Sequence, residues 1–313
     1  MLIMITGGAG FIGSNLTDRL LAEGHDVEVV DDLSSGSLTN LSEARRVGKR
    51  KFSFHRLDIK TRAVTDLIAS RKPEIVIHLA AQTDVKTSID NPIFDANTNI
   101  IGTLNVLEGC VKAKVKKIIF AASAAIYGDP QTLPIREGHP MIPLSNYGVS
   151  KKVIIDYLNC YRNMYDLEFV ALVLSNVYGP RQSFSNEGGA IAKFASLMIS
   201  RERPTIYGDG SQTRDFIFID DVVDAFVRSI DKGSGLAMNI GTGKQTSVQS
   251  LFDTIAKSVG YKDPPRYSDL SNGEIIDSVL DFKRAEVHIG FTPFTSFDDG
   301  IGRTVQWYKS LAK

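Results

Sequence analysis

The sequence predicts an α/β protein: a doubly wound, mostly parallel sheet, then a smaller mixed α/β lobe toward the C-terminus. Three observations carry this. Short apolar runs alternate with stretches of helical periodicity through the first half of the chain. The first apolar run breaks into a glycine-rich turn that opens a helix-compatible stretch. Beyond Gly179, prolines and glycines cut the chain into shorter elements.

Taken in order, Leu2 to Thr6 is the first strand, and Phe11, Ile12, Leu16, Leu20 and Leu21 recur at helical spacing up to Gly24. Val27 to Val30 is apolar again and ends in Asp31-Asp32, and Phe52 to Leu57 reads as a third strand. Thr61 to Ser70 is a helix, Glu74 to Leu79 a buried strand, Asn97 to Ala113 a helix and Lys116 to Ala122 another strand. Tyr147 to Tyr165 is a long helix, and Phe169 to Leu174 closes the alternation. Such short apolar strands suit burial on both faces. The expected division is residues 1–178 for the main domain and 179–313 for the second lobe. Segment 212–243, with Phe216 to Asp221 and Ala237 to Gly241, is expected to return to the main sheet.

The bulk properties narrow the function. With 313 residues the chain is long enough for a well-buried core. Lys plus Arg (36) equals Asp plus Glu (36), so nothing suggests a surface built to wrap nucleic acid. Cys110 and Cys160 are far apart, which argues against a metal site or disulfide framework and suits a reducing cytoplasm. The N-terminal MLIMITGGAG reads as a strand entering a turn, not as a signal peptide, and no apolar run suits a membrane span.

The turn is Thr6-Gly7-Gly8-Ala9-Gly10-Phe11-Ile12-Gly13. Gly7, Gly10 and Gly13 permit a tight turn and leave room for a pyrophosphate. Phe11 and Ile12 open a helix whose first N–H groups attract anions. Asp31 closes the next strand, where a carboxylate accepts hydrogen bonds from ribose hydroxyls and repels a 2′-phosphate. The turn and Asp31 together point to NAD rather than NADP. Asp58 and Ile59, after the third strand, are placed near the adenine, although Asp58 reads equally well as a helix N-terminal acid.

Tyr147-Gly148-Val149-Ser150-Lys151 sets a phenol and an ammonium one helical turn apart. An ordinary tyrosine has a pKa near ~10, and moving it to about 7 takes roughly 4 kcal/mol of phenolate stabilisation. The Lys151 charge and a nicotinamide cation share that task in a low-dielectric pocket. Ser123, at the end of KKIIFAAS, is the expected hydroxyl partner; alone, it also reads as a turn residue.

These residues resemble the extended short-chain dehydrogenase/reductase family, and within it the UDP-sugar 4-epimerases. The markers are TGGAGFIG (6–13), DDLSSG (31–36), HLAAQ (78–82), Asn99 in NTNIIGT, SAAIYG (123–128), YGVSK (147–151), SNVYGPRQ (175–182), YGDGSQTRDF (207–216) and NIGTG (239–243). The resemblance implies a Rossmann-type sheet, tightly bound NAD and 4-epimerisation of a UDP-hexose through a transient 4-keto sugar. Tyr147 would be the base, with Ser123 assisting and Lys151 beside it. It further implies that Leu79, Ala80, Ala81 and Asn99 hold NAD, and that Asn176, Tyr207, Arg214, Glu274 and Ser278 line the UDP-sugar site. Read by themselves, Asn99 also suits a helix cap, Tyr207 the core, and Arg214 a pair with Asp215 or Asp220. A homodimer through the helices at Asn97 to Ala113 and Tyr147 to Tyr165 is implied too, although core packing accounts equally for the stripe Val153, Ile154, Tyr157, Leu158 and Tyr161.

The chain departs from the family pattern in ways that narrow the reaction. Ala124 and Ala125 stand where dehydratases carry an Asp-Glu pair, and decarboxylases likewise carry a glutamate just after the serine position. Val173-Leu174 replaces an Arg-Tyr pair, and Ser271-Asn272-Gly273-Glu274 lacks the arginine that would grip the diphosphate, for which Arg181 is a candidate substitute. Ser278 is a small residue at the sugar gate, which implies room for UDP-GlcNAc and UDP-GalNAc. The alternatives are a UDP-glucuronate epimerase, a 4-keto-sugar reductase and a non-catalytic NAD-sensing protein; the last is disfavoured by the joint presence of Ser123, Tyr147 and Lys151.

Overall fold

A computed structural model describes residues 1–183, 189–269 and 275–311. The strands are β1 Leu2–Thr6, β2 Asp26–Asp31, β3 Phe52–Arg56, β4 Ile75–His78, β5 Lys117–Ser123, β6 Glu168–Leu174, β7 Asn176–Tyr178, β8 Thr205–Tyr207, β9 Thr213–Arg214, β10 Phe216–Phe218, β11 Leu236–Ile240, β12 Thr246–Ser247 and β13 Arg266–Ser268. The helices are α1 Phe11–Ala22, α2 Ser42–Gly48, α3 Ala63–Arg71, α4 Val85–Asp90, α5 Pro92–Ala96, α6 Gly102–Ala113, α7 Asn146–Tyr165, α8 Ala190–Ile199, α9 Ile219–Asp231, α10 Val248–Val259, α11 Lys283–Ile289 and α12 Phe297–Leu311.

The central sheet has the order β11-β6-β5-β4-β1-β2-β3, and every pairing in it is parallel. Alternate residues feed two cores, one on each face. Ile3 and Ile5 of β1 join a core with α1, α8, α9, α10 and α12, whereas Met4 joins one with α3, α6 and α7. Burial on both faces accounts for the unbroken apolar runs of β1, β4 and β5. The order reverses between β1 and β4, which opens a crevice at their C-terminal ends where ligands bind in such sheets.

Two expectations are corrected. Phe216–Phe218 does not return to the main sheet; it pairs in parallel with β7. The free edge of β6 is taken by Leu236–Ile240 instead, and α9, lying between β10 and β11, supplies the helical crossover that a parallel partner needs. The helix expected from Asn97 is also not uniform. Asn97–Ile101 is a π-helical turn that leads into α6.

Lys117 opens β5 with its side chain buried. Its Nζ donates to the carbonyls of Ser229 (3.1 Å), Ile230 (2.8 Å) and Lys232 (3.2 Å), so it closes the C-terminal end of α9 over the sheet. Hydrogen bonds to charged groups are worth roughly 1.5–3 kcal/mol, and Lys117→Met should cost about that much stability. Thermal melting checks it, with Lys116→Ala as the control. Lys116 makes only an exposed pair with Glu74 and should change stability by less than about 1 kcal/mol.

Candidate active site

The crevice is built from backbone first. Gly7 follows β1 with φ +72°, and a Cβ there would lie 2.6 Å from the Ala80 nitrogen. A Cβ on Gly13 would lie 2.2 Å from the Gly7 carbonyl oxygen. Only glycine permits this closeness. Gly10 is the N-cap of α1 and no side chain caps that end, so the first N–H groups, from Phe11 onward, meet the crevice uncovered. On its far side Leu79, Ala80 and Ala81 leave β4, with the Leu79 N–H donating to the Thr6 carbonyl (3.0 Å).

Asp31 ends β2. Its Oδ2 accepts from the Ala9 N–H (2.9 Å) and its Oδ1 from the Leu33 N–H (2.8 Å). Burial raises its pKa above the usual carboxylate value, and those two bonds pull the other way. Each oxygen keeps a lone pair for a ribose hydroxyl. The glycine cradle, the uncapped helix end and Asp31 therefore fit a dinucleotide such as NAD. Asp58, expected near the adenine, accepts from the Lys60 N–H (2.8 Å) and pairs with Lys60 Nζ (3.3 Å). The Ile59 side chain is buried against Gly102.

The side chains expected to react stand at the C-terminal end of β5 and in the first turns of α7. Ser123 Oγ accepts from the Ala125 N–H (3.2 Å), so its own hydrogen remains available. α7 starts at a Ser145 cap, whose Oγ accepts from the Gly148 N–H (3.1 Å). Gly148 lets the helix touch the Ser123 turn, because a Cβ would lie 2.5 Å from the Ala125 carbonyl oxygen. This contact puts the Tyr147 hydroxyl in hydrogen-bonding contact with Ser123. Burial pushes Tyr147 up to about 12, the Ser123 bond opposes this, and the Asp95 charge adds to it. Lys151 is buried with Nζ donating to the Ala121 carbonyl (2.9 Å) and lying 4.8 Å from the Phe120 ring centre and 5.9 Å from that of Tyr147. Burial lowers Lys151 to about 8, and Asp95 opposes that shift.

Asn99 does not cap a helix. Within the π turn its Oδ1 accepts from the Gln82 N–H (2.8 Å), and its Nδ2 faces the Gln82 carbonyl (2.9 Å), Asp95 Oδ1 (3.0 Å) and Ser150 Oγ (3.1 Å). A second buried chain fixes its backbone: the Thr103 hydroxyl donates to the Asn99 carbonyl (2.6 Å) and touches His78 Nε2 (2.8 Å), while His78 Nδ1 meets the Thr6 hydroxyl (2.6 Å). Burial and the Lys151 charge drive His78 down to about 3, so the ring is neutral. Gln82, Asp95, Ser150, His78, Thr6 and Thr103 have no role in the sequence reading. The one signal for Asp95 is that it stands four residues, one helical turn, before Asn99.

The residues expected on the substrate side lie along 212–216. Asn176 is exposed and follows β6, whose Leu174 pairs with Ser123; its N–H donates to the Asp215 carbonyl (2.9 Å). Arg214 NH1 donates to the carbonyls of Thr213 (2.8 Å) and Ile276 (3.1 Å). The two acids expected beside it are engaged elsewhere. Asp215 accepts from Thr242, Gly243 and Leu280, and Asp220 pairs with Arg303. The Ser278 N–H donates to the Thr213 carbonyl (3.3 Å). Tyr207 is 53% exposed, which removes the core reading, and its carbonyl accepts from Gln212 Nε2 (2.6 Å). Arg181, the candidate substitute for the missing arginine, pairs through NH2 with Asp18 Oδ2 of α1 (2.6 Å). Ser271 and Glu274 lie outside the described residues.

The family described as GDP-mannose 4,6 dehydratase matches residues 4–304. The chain belongs to that family. It is 43% identical to a UDP-glucose 4-epimerase of Mycolicibacterium smegmatis over the full length of both chains. The solved UDP-glucose 4-epimerase of Thermotoga maritima, which holds UDP-glucose, superposes with a TM-score of 0.95 at 39% identity and 100% coverage of both chains. That of Thermus thermophilus, in complex with NAD, gives 0.91 at 33% identity and 99% coverage of both.

The cradle makes a direct prediction. Gly7→Ala places a side chain against the Ala80 backbone at a left-handed φ, which costs roughly 1–2 kcal/mol before any clash. Purified protein should lose NAD at least about tenfold more readily than wild type, measured by equilibrium dialysis.

Proposed function

We propose that this chain is an NAD-dependent UDP-hexose 4-epimerase with Tyr147 as its acid–base residue. The observation that carries the reading is the convergence of Ser123, Tyr147 and Lys151 beside a glycine cradle that fits a dinucleotide. The kinship to UDP-glucose 4-epimerases over the full chain supports it.

Bound NAD supplies the positive ring and the reversible acceptor for the C4 hydrogen that the protein lacks. The protein's task is to move one proton and hold one nucleotide. Tyr147 Oη takes the proton of the sugar 4-hydroxyl, and Ser123, already bonded through its lone pair to Ala125, donates its hydrogen toward the same oxygens. The Lys151 ammonium stabilises the phenolate and opposes the burial that holds the free phenol near 12. Arg214 and Asn176 would hold the diphosphate, and Tyr207 would flank the uracil. A 4-keto sugar released from Tyr147 turns about its diphosphate link, and Tyr147 returns the proton after the opposite face has been presented. Ala124 and Ala125 give no acid to expel a hydroxyl from the sugar, which separates this site from dehydration.

The oligomer and compartment follow from the same surfaces. Ile154 and Leu158 of α7 are core, whereas Val153, Tyr157 and Tyr161 are half-buried and Val149, Met164 and Tyr165 are exposed. This outer stripe supports a homodimer through α6 and α7. The free thiols Cys110 and Cys160 support the cytoplasm, and among the described residues no helix is long and apolar enough to cross a membrane.

Two measurements test the reading. Tyr147→Phe should lower kcat by about 10²–10⁴-fold, in keeping with loss of an acid–base group, with UDP-sugar binding retained by calorimetry. Incubation with UDP- and dTDP-sugars without added cofactor, resolved by NMR, should interconvert UDP-glucose and UDP-galactose. The N-acetylated pair should turn over as well if Ser278 leaves the expected room. A requirement for stoichiometric NADH would point to a reductase instead.

A further inference from the structure

Asp95 is the charged residue that the mechanism above leaves unused. It lies on α5 and is 1% exposed. Its Oδ1 accepts from Gln82 Nε2 (3.1 Å) and Asn99 Nδ2 (3.0 Å), and the same Nδ2 lies 3.1 Å from Ser150 Oγ. Ser150 precedes Lys151 on α7, and its Oγ also reaches the Tyr147 carbonyl (2.9 Å). Both of these partners of Asp95 are neutral, and so is Ser150 beyond Asn99. A buried charge held only by neutral groups is costly unless an opposite charge answers it.

The ammonium next to this network is Lys151, which follows Ser150 on α7, and Ser150 Oγ shares Asn99 Nδ2 with Asp95. One of the Lys151 N–H groups is taken by the Ala121 carbonyl of β5, and Phe120 and Tyr147 present rings to the rest of the head. The titratable groups facing it among the described residues are Tyr147 on its own helix, His78 at the end of β4 and Asp95 on α5. His78 is neutral, with both ring nitrogens engaged by the Thr6 and Thr103 hydroxyls.

We propose that Asp95 is a positioning residue of the reaction: framed by Gln82, Asn99 and Ser150, it is the buried counter-charge that keeps Lys151 cationic beside Tyr147. The proposal rests on the reading of Tyr147 and Lys151 as the catalytic pair. Its signs are fixed by electrostatics. A negative charge favours the ammonium and disfavours the phenolate. Removing it lets Lys151 lose its proton at lower pH and lets Tyr147 ionise at lower pH. Both limbs of the pH–rate profile then move in the same direction, which a loss of packing alone would not produce.

The test uses the full chain in three variants: Asp95→Asn, the smaller neutral Asp95→Ser, and the charge-keeping Asp95→Glu. Lysine-selective ¹³Cε NMR follows Lys151 directly, with Lys151→Met to assign its signal. In either neutral variant the Lys151 midpoint should fall by about one pH unit or more. Both limbs of kcat/KM should shift to lower pH, and Asp95→Glu should restore them. A Lys151 midpoint unmoved in a folded neutral variant overturns the proposal. So does a wild-type midpoint below about 7, where buried lysines without a counter-charge titrate. The NMR arm needs no turnover, so failure of the coupling and failure of the epimerase reading register separately.

Discussion

The site depends on one constraint: the central sheet is buried on both faces, so polar chemistry is confined to one end of it. Each of β1, β2, β4, β5 and β6 delivers its functional residues at or just beyond its last paired residue. Gly7 follows β1, Asp31 closes β2, Leu79 to Ala81 follow β4, Ser123 closes β5 and Asn176 lies two residues past β6. Parallel register brings these ends to one level. The alternation of apolar side chains toward two separate cores holds that register, because a one-residue slip would send each core's side chains into the other.

A thin line of neutral polar groups then ties the ends together. Thr6, His78, Thr103 and Asn99 connect the glycine turn to the π turn, and Asn99 connects the π turn to α7 through Ser150. Buried polar groups are stabilising only when all are satisfied. This chain is continuous, and it passes through four parts of the sequence: β1, β4, the π turn with the start of α6, and α7. The cofactor cradle and the Tyr147–Lys151 pair are thereby parts of one hydrogen-bonded object.

Much of this is legible in the sequence, for physical reasons that differ by residue. The glycine turn shows because its spacing reflects backbone contacts no side chain permits, and Tyr147 and Lys151 show because four residues make one helical turn. The strands show because burial on both faces leaves no polar interruptions. Asp95, Gln82 and Ser150 do not show: a polar residue in a helical pattern reads as a solvated face, and burial is a property of what packs over it. Phe216–Phe218 misleads for a related reason. Its apolar run has the composition of a core strand, but composition does not say which edge is free. The ion pair of Arg181 with Asp18 is not legible either, because it joins two segments distant along the chain and nothing in either one announces the other.

The interleaving of the two halves of the chain bears on how it is made. A chain emerging from the ribosome completes β6 long before β11, so the outer edge of β6 has no partner while β7 to β10 and α9 are being synthesised. An unpaired edge is a template for another chain. At ~5–20 residues per second the exposed interval lasts for seconds. The nascent chain therefore carries for that interval an open β6 edge that β11 covers in the finished fold, and a chaperone that shields this strand edge during synthesis would guard it.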